Sequence, residues 1–391
     1  MAKSKKTILI TTSRFPFPLE KGDKLRAYHQ IKELSKTYSI ILCSISKHPV
    51  KKEWKDELSQ YCQVVNIYKL NSFLVLWNTF KMFFSDKPFQ IGYFYQKAIH
   101  KKITHLITTT KPDFIYCQLI RTAEYVKNIH SIPKTLDYMD ALSSGLLRRG
   151  KNAHLLYKLA LNTEGKRVKM YENKIFDYFN NHTIISSQDQ KLIQHPEQKN
   201  IKIIPNGIDD YFYNYSNPKL KKEFDLVFVG NLNYPPNIES CTYIIKQILP
   251  IFKAKGIELS VLLSGANPHQ KIKQFNELKN VTVTGWVDDI RESYLKGKIF
   301  IAPLFIGTGL QNKLLEAMAL KTPCITTSLV NNALGANPNL DILLADNLNE
   351  YEQAIDYLLN NKNKSKEIAT KGQNFVKHNF NWANSVAQIP F

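Results

Sequence analysis

The run Ile301–Leu320 (IAPLFIGTGLQNKLLEAMAL) holds the residue types and spacing best suited to chemistry. An apolar stretch ends at Leu304, a loop with Gly307 and Gly309 follows, and a helical pattern begins near Leu310–Gln311. Glycines at a strand-to-helix junction let backbone N–H groups approach an anion, and the helix N-terminus adds a favourable dipole, so the run predicts a diphosphate cradle. Lys313, in the first helical turn, can neutralise a phosphate as a point charge. Glu316 lies three residues on and on the same helical face. A carboxylate there can accept hydrogen bonds from both ribose hydroxyls of a nucleotide. The same spacing equally fits an i,i+3 surface pair worth roughly a few tenths of a kcal/mol.

In the first half, Gln118, Arg121, Asp140 and Ser143 stand just beyond predicted strand ends, and Asp140 is the best candidate carboxylate. A loop after the first strand ends in Gly22–Asp23, with Asp23 placed to cap a helix over Lys24–Ser35. Such a loop borders the crevice where open α/β sheets bind ligands. The pairs Asp209–Asp210 and Asp288–Asp289 suggest a metal only superficially. Adjacent residues do not project together, and no His or Asp cluster accompanies them, so no metal is expected.

These residues need a scaffold. Short β-branched runs recur at Asp225–Gly230, Leu259–Gly265, Val281–Trp286, Ile299–Leu304, Pro323–Thr327 and Asp341–Ala345, with helical patterns such as Ile238–Lys253 and Asn312–Leu320 between them. That alternation predicts βαβ units and a doubly wound parallel sheet. The first half alternates more loosely. Strands are predicted at Thr7–Thr12, Ser39–Ile45, Val64–Tyr68, Asp113–Cys117, Lys134–Tyr138 and Thr183–Ser186, with a long helix over Ala153–Phe179. The turn Pro205–Asn206–Gly207 places a boundary near residue 205.

With 391 residues, 43% hydrophobic and 22% charged, the chain suits two globular lobes rather than disorder. Its five scattered cysteines form no C-x-x-C pair, which fits a reducing cytosol and neither a disulfide framework nor a zinc site. The basic N-terminus leads into an apolar run of only about six residues, too short for a signal peptide core, and reads as a first strand. Of the net charge of +20, residues 1–200 carry +17, from 33 Lys and Arg against 16 Asp and Glu. So one-sided an excess suggests a polyanionic partner, an anionic leaflet, a pyrophosphate-bearing lipid or nucleic acid, or else a Lys-rich solvated surface. Leu70–Phe94, dense in aromatics and flanked by lysines, fits either an interfacial membrane segment or a core helix pair.

Taken in order, these motifs resemble the retaining GT-B glycosyltransferases of family 4. The resemblance rests on PFPLEKGDKLRAYHQIKEL, IIPNGID, FVGNLNYPPN, VTGWVDDI, the LLEAMA helix and the tail FNWANSV, which span Thr7 to about Ser385. It is nearest to bacterial sugar transferases of exopolysaccharide clusters. The resemblance implies two Rossmann-like lobes facing a central cleft: residues 1–205 on the acceptor side, 206–375 binding the donor, and a 376–391 tail packed back on the first lobe. It implies transfer of a sugar from a nucleoside-diphosphate sugar to an acceptor hydroxyl, lipid-linked or a polysaccharide precursor, with retention. The protein would be cytoplasmic, without cofactor or metal, at the inner face of the membrane, and would bind no nucleic acid.

By the same resemblance the donor site comprises Gly22, Arg26, Gly230, Asn231, Trp286, Val287, Gly307, Thr308, Gly309, Leu310, Lys313 and Glu316. Asp140, Lys313 and Glu316 would be catalytic, with Gln118 and Arg121 on the acceptor side. Trp286 is also compatible with core packing. The family commonly has two glutamates eight positions apart; Glu316 matches the second, but Thr308 stands at the first. Its usual Arg after the glycine of the second lobe's first loop is replaced in the run Gly230–Asn231–Leu232. A nucleotide-sugar epimerase of the same architecture, a basic nucleic-acid binder and an inactive relative are the alternatives.

Overall fold

The structure is a computed structural model that describes residues 5–151, 154–215, 217, 220–305 and 309–391, apart from the Leu156 side chain. It divides into two units. One comprises residues up to Pro205 together with Trp382–Phe391, and the other spans Asn206–Asn381.

The first unit is built on seven parallel strands: β1 (Thr7–Thr12), β2 (Ser39–Ser46), β3 (Val64–Lys69), β4 (Phe114–Gln118), β5 (Lys134–Asp137), β6 (Asn181–Ile184) and β7 (Lys202–Ile203). Their order is β3-β2-β1-β4-β5-β6-β7. The second holds β8 (Phe224–Val229), β9 (Val261–Ser264), β10 (Val281–Val283), β11 (Gly297–Ala302), β12 (Cys324–Thr326) and β13 (Leu343–Leu344), ordered β10-β9-β8-β11-β12-β13. Both are doubly wound sheets that reverse direction beside their first strand, between β1 and β4 and between β8 and β11. The crevice at the carboxyl ends of such a strand pair is where these sheets bind ligands.

Apolar runs form central strands because both faces are covered by helices. Along β8, Leu226 and Phe228 enter one core while Val227 and Val229 enter the other; along β11, Ile299 and Ile301 oppose Phe300 and Ala302. In the first unit Leu9 and Ile115 face one core, and Ile8, Ile10 and Tyr116 the other. The chain end completes the latter: Trp382, Val386 and Ile389 are buried in it, and the Trp382 ring stacks on His29 at 4.8 Å. That tail is shorter than the sequence suggested. Helix Lys362–Asn379 stays with the second unit, packed against helix Asn312–Ala319, so residues 376–381 belong there.

Local chemistry explains other departures. The helix expected over Ile238–Lys253 runs as Pro235–Tyr243, a widened turn Ile244–Ile248, and Leu249–Ala254. Pro250 lacks the N–H that would continue an ordinary ladder. The first helix begins at Gly22, one residue before the expected cap, so Asp23 lies inside its first turn, where it pairs with Arg14 at 2.6 Å. The helix expected over Ala153–Phe179 is present as Leu155–Phe176, and a helix not foreseen, Leu142–Lys151, packs on it.

Candidate functional site

In the second unit, the chain leaves β8 at Gly230 and β9 just before Gly265. Gly230 N donates to Ser264 O at 3.0 Å. A Cβ on Gly265, whose φ is +139°, would stand 1.9 Å from Gly230 O, and one on Gly230 would stand 2.8 Å from Asn237 Nδ2 and 3.3 Å from Lys313 Nζ. Only bare backbone fits at Gly265, while at Gly230 a Cβ would have to displace the ends of the Asn237 and Lys313 side chains, so the β8 loop lies against an ammonium group. Asn231 accepts from Asn237 Nδ2 at its carbonyl (2.8 Å) and from Asn233 N at its side chain (3.0 Å), which fixes the loop.

Across the sheet reversal, helix Asn312–Ala319 starts after β11. Its N-cap, Gln311, offers no side-chain hydrogen bond to the first turn, which leaves N–H donors for an anion. Lys313 Nζ donates to Asn237 Oδ1 at 2.5 Å and lies 4.8 Å from the Phe228 ring centre. Burial of the ammonium pulls its pKa down to about 8, against the opposing pull of Cys241 and Glu316. Glu316 accepts from Tyr294 Oη at 2.6 Å. Burial raises its pKa, and the Tyr294 hydroxyl and Lys313 oppose the rise. Each member of the supposed surface pair thus has a partner of its own, Asn237 or Tyr294, rather than the other.

Gly307 and Thr308 lie outside the described residues. Gly309 has open space where a Cβ would go, and the Leu310 side chain packs on the core beneath the helix. Trp286 is 71% exposed and therefore not a core residue. Its loop is held by Thr284 Oγ1 donating to Ser264 Oγ at 2.9 Å, and Ser264 bonds Ser293, the neighbour of Tyr294, at 2.6 Å. Val287 in that loop is half-buried. Asp289 caps helix Ile290–Leu295 and is gripped by Arg291, while Asp209 caps the turn Asp210–Phe212, so both acids serve local structure.

In the first unit several expectations change. Arg26 is wholly buried and forks onto Asp137, with Nε to Oδ2 at 2.7 Å and Nη2 to Oδ1 at 3.1 Å, while Nη1 donates to Ile204 O at 2.8 Å. It is a core ion pair, not a donor ligand. Gln118 is buried, its amide donating to Asp23 O at 2.9 Å, and Ser143 donates to Glu172 at 2.5 Å. Both are structural. Gly22 is exposed, and a Cβ on it would sit 3.3 Å from Met139 Cε.

Asp140 keeps its interest. It follows Met139, whose φ of +63° is unusual for a side-chain-bearing residue, and the end of β4 carries a second such residue, Leu119, at +65°. Asp140 Oδ1 is buried with no hydrogen-bond partner among the described residues. Burial, then nearby Asp189, pushes its pKa up to about 7, with Arg121 pulling it down. The folded protein therefore holds this proton more tightly than the unfolded chain, and the associated stability is lost as pH rises through about 7. Asp140→Asn is expected to raise Tm by about 2–6 °C at pH 8 and to leave it unchanged at pH 4, read by thermal unfolding at both.

Arg121 donates to Gln90 Oε1 at 2.8 Å and borders a cavity of about 760 Å³ at the carboxyl ends of β1, β2 and β4. Arg14, Lys21, Lys24 and Lys47 line that cavity alongside Phe17 and Trp54. Sequence reasoning missed Asn237, Tyr294 and Gly265. Gly265 ends a predicted strand and Asn237 ends the run FVGNLNYPPN, whereas Tyr294 carried no signal.

Comparison with known proteins supplies the family context. Residues 223–361 match the family described as glycosyl transferases group 1. An uncharacterised 44.6 kDa protein of the cps region of Klebsiella pneumoniae is 24% identical over 73% of this chain and 75% of its own length. An uncharacterised glycosyltransferase of Methanocaldococcus jannaschii is 29% identical over 44% of this chain and 45% of that one. Among solved structures, the sucrose-phosphate synthase of Thermosynechococcus elongatus is similar with a TM-score of 0.72 at 15% identity, covering 98% of this chain and 97% of that one. Anabaena HepE in complex with UDP and glucose is similar at 0.69 and 14%, covering 98% of each chain. The fold of both units is thus that of GT-B glycosyltransferases.

Proposed function

We propose, from the premise that residues 223–361 form a glycosyl transferases group 1 domain, that the chain transfers a glycosyl unit from a nucleoside-diphosphate sugar to an acceptor hydroxyl, with retention. The observation that carries this reading is the arrangement at the β8/β11 reversal. Bare backbone at Gly230, the uncapped start of helix Asn312–Ala319, a lysine with a lowered pKa and a carboxylate one helical turn away meet there. Backbone N–H groups from Gly307 to Leu310 and the Lys313 ammonium would bind the diphosphate, Gly230 and Asn231 would border it, and Glu316 would take the ribose hydroxyls. Exposed Trp286, with Val287, would lie against the base.

In the reaction the bond from the anomeric carbon to the β-phosphate oxygen breaks, and the bond from the acceptor oxygen to that carbon forms. Negative charge builds on the departing diphosphate, where Lys313 and the helix dipole stabilise it without a metal. The acceptor proton must also leave. Asp140, with a pKa near neutrality, is the carboxylate suited to receive it. The basic cavity beside Arg121 would hold an acceptor bearing phosphate or carboxylate groups, such as a lipid-linked or polysaccharide precursor. Gly22 would border the Asp140 turn. The HepE complexes with UDP and UDP-glucose support a nucleotide-sugar donor, and the cps-region relative supports a role in polysaccharide assembly.

Lys313 supplies the test. Free, it loses its proton above about pH 8, and only the ammonium form attracts a diphosphate. Nucleoside-diphosphate affinity is expected to fall about tenfold between pH 7 and pH 9, and Lys313→Met is expected to bind weakly with a flat profile. A wild-type profile as flat as the variant's would remove Lys313 from the site.

A further inference from the structure

Helix Ser72–Lys81 and the turn Met82–Phe84 after it bury none of their residues, although six of the thirteen are large and apolar on one side. Phe73, Leu76, Trp77 and Phe80 recur at i, i+3, i+4 and i+7, the spacing of one helical face, and Phe83 and Phe84 extend it. That face points outward: Phe73 is 73% exposed, Leu76 72% and Phe84 82%. The part-buried positions are Val75, Asn78, Thr79 and Met82. Two of these four are polar, and Asn78 Nδ2 donates to Tyr95 O at 2.8 Å. An ordinary surface helix turns its apolar stripe to the core. This one is reversed.

The reversal is built in rather than a loose end. Asn71 caps the helix by accepting from Leu74 N at 3.2 Å. Helix Phe89–Phe94 packs so closely beneath it that a Cβ on Gly92 would meet Met82 Cγ at 2.5 Å and Asn78 O at 2.8 Å. Arg167, from helix Leu155–Phe176, donates to Met82 O at 2.7 Å. The outward rings lie against one another: Trp77–Phe80 at 6.2 Å, Phe80–Phe83 at 6.2 Å and Phe80–Phe84 at 5.6 Å make one ridge.

Charge selects the occupant. From Val64 to Lys111 there are seven lysines and one acid, Asp86; from Arg148 to Lys169 there are seven basic residues and one acid, Glu164. The second stretch includes the start of helix Leu155–Phe176, which exposes Leu155, Tyr157 and Leu159. A second copy of the chain would set the same lysines face to face, at a cost in repulsion. An anionic bilayer satisfies both features, with acyl chains for the rings and acidic headgroups for the lysines. No helix among the described residues is long and apolar enough to cross a membrane.

We propose that the ridge Phe73–Phe84 inserts into the surface of an anionic phospholipid bilayer, with Lys81 and its neighbours at headgroup level. The ridge shares no residue with the nucleotide site, so the test stands whether or not the transferase reading holds. Full-length protein is mixed with vesicles of phosphatidylcholine alone, or of phosphatidylcholine with phosphatidylglycerol, and sedimented. Binding is expected on the mixed vesicles only, weakening with added salt. Phe73→Ser with Phe84→Ser is expected to lower the partition coefficient about tenfold or more, with unchanged Tm and nucleotide affinity. Trp77 emission is expected to shift to the blue on the mixed vesicles, a shift absent in Trp77→Phe. Leu278→Ser, an exposed position in the second unit, is expected to bind as wild type. Equal binding by the double variant, or no wild-type binding to the mixed vesicles, overturns the proposal. So does a dimer, seen by sedimentation velocity without lipid, that the double variant dissolves; the ridge would then be a self-association surface.

Discussion

Arg26→Ala is expected to remove a large part of the first unit's stability. The guanidinium is fully buried, and its partner Asp137 also accepts from Thr183 Oγ1 at 3.0 Å and Met139 N at 3.2 Å. Burial alone would raise the Asp137 pKa, but the charge and hydrogen bonds of Arg26 outweigh it and hold the carboxyl below its ordinary range. This contribution is present above the usual carboxylate pKa and is lost as pH falls through the lower, folded value. Truncating Arg26 leaves an uncompensated buried carboxylate, at a cost of about 3–5 kcal/mol against a total stability of about 5–15 kcal/mol. Urea unfolding followed by circular dichroism measures the loss. Arg26→Met combined with Asp137→Leu is expected to recover much of it, since replacing both partners removes the unpaired charge. An Arg26→Ala protein with wild-type stability but weakened nucleotide binding would return Arg26 to the donor site.

Glu316→Ala is expected to lower kcat/KM for the donor about 100-fold with little change in Tm. A carboxylate accepting two ribose hydroxyls makes charge-assisted hydrogen bonds of roughly 1.5–3 kcal/mol each, part of which is already spent on Tyr294 in the free protein. Glu316→Gln keeps the shape and loses the charge, so it should fall between wild type and alanine. Because burial raises the Glu316 pKa, truncation removes no strong ion pair, and the cost in Tm is confined to the buried Tyr294 hydroxyl left without its acceptor. A collapse in Tm with unchanged kinetics would make it a structural residue.

The strands were legible because parallel strands covered on both faces read as unbroken apolar runs, and β1 was found at its bounds, Thr7–Thr12. Helix Asn312–Ala319 was legible too, since the glycines, Lys313 and Glu316 fall within one short run of sequence. Arg26 was not: its partner lies 111 residues away, and a loop arginine beside a glycine looks the same whether it faces a phosphate or a buried carboxylate. Asn237 and Tyr294 were missed for the same reason, as their roles exist only once Lys313 and Glu316 are brought to them, 76 and 22 residues distant. Phe73–Phe84 shows a different limit. Periodicity defines an apolar stripe but not its direction, and only the packing of Asn78 and Gly92 turns it outward.

The central claim, a nucleoside-diphosphate site in the second unit, is tested most directly by calorimetric titration of the full-length protein with UDP, GDP, ADP and CDP at pH 7, repeated on Lys313→Met and Glu316→Gln. One nucleotide is expected to bind saturably at a single site, and both variants to weaken it at least tenfold while remaining folded. Failure of every nucleotide to bind, or binding that neither variant changes, would contradict the account.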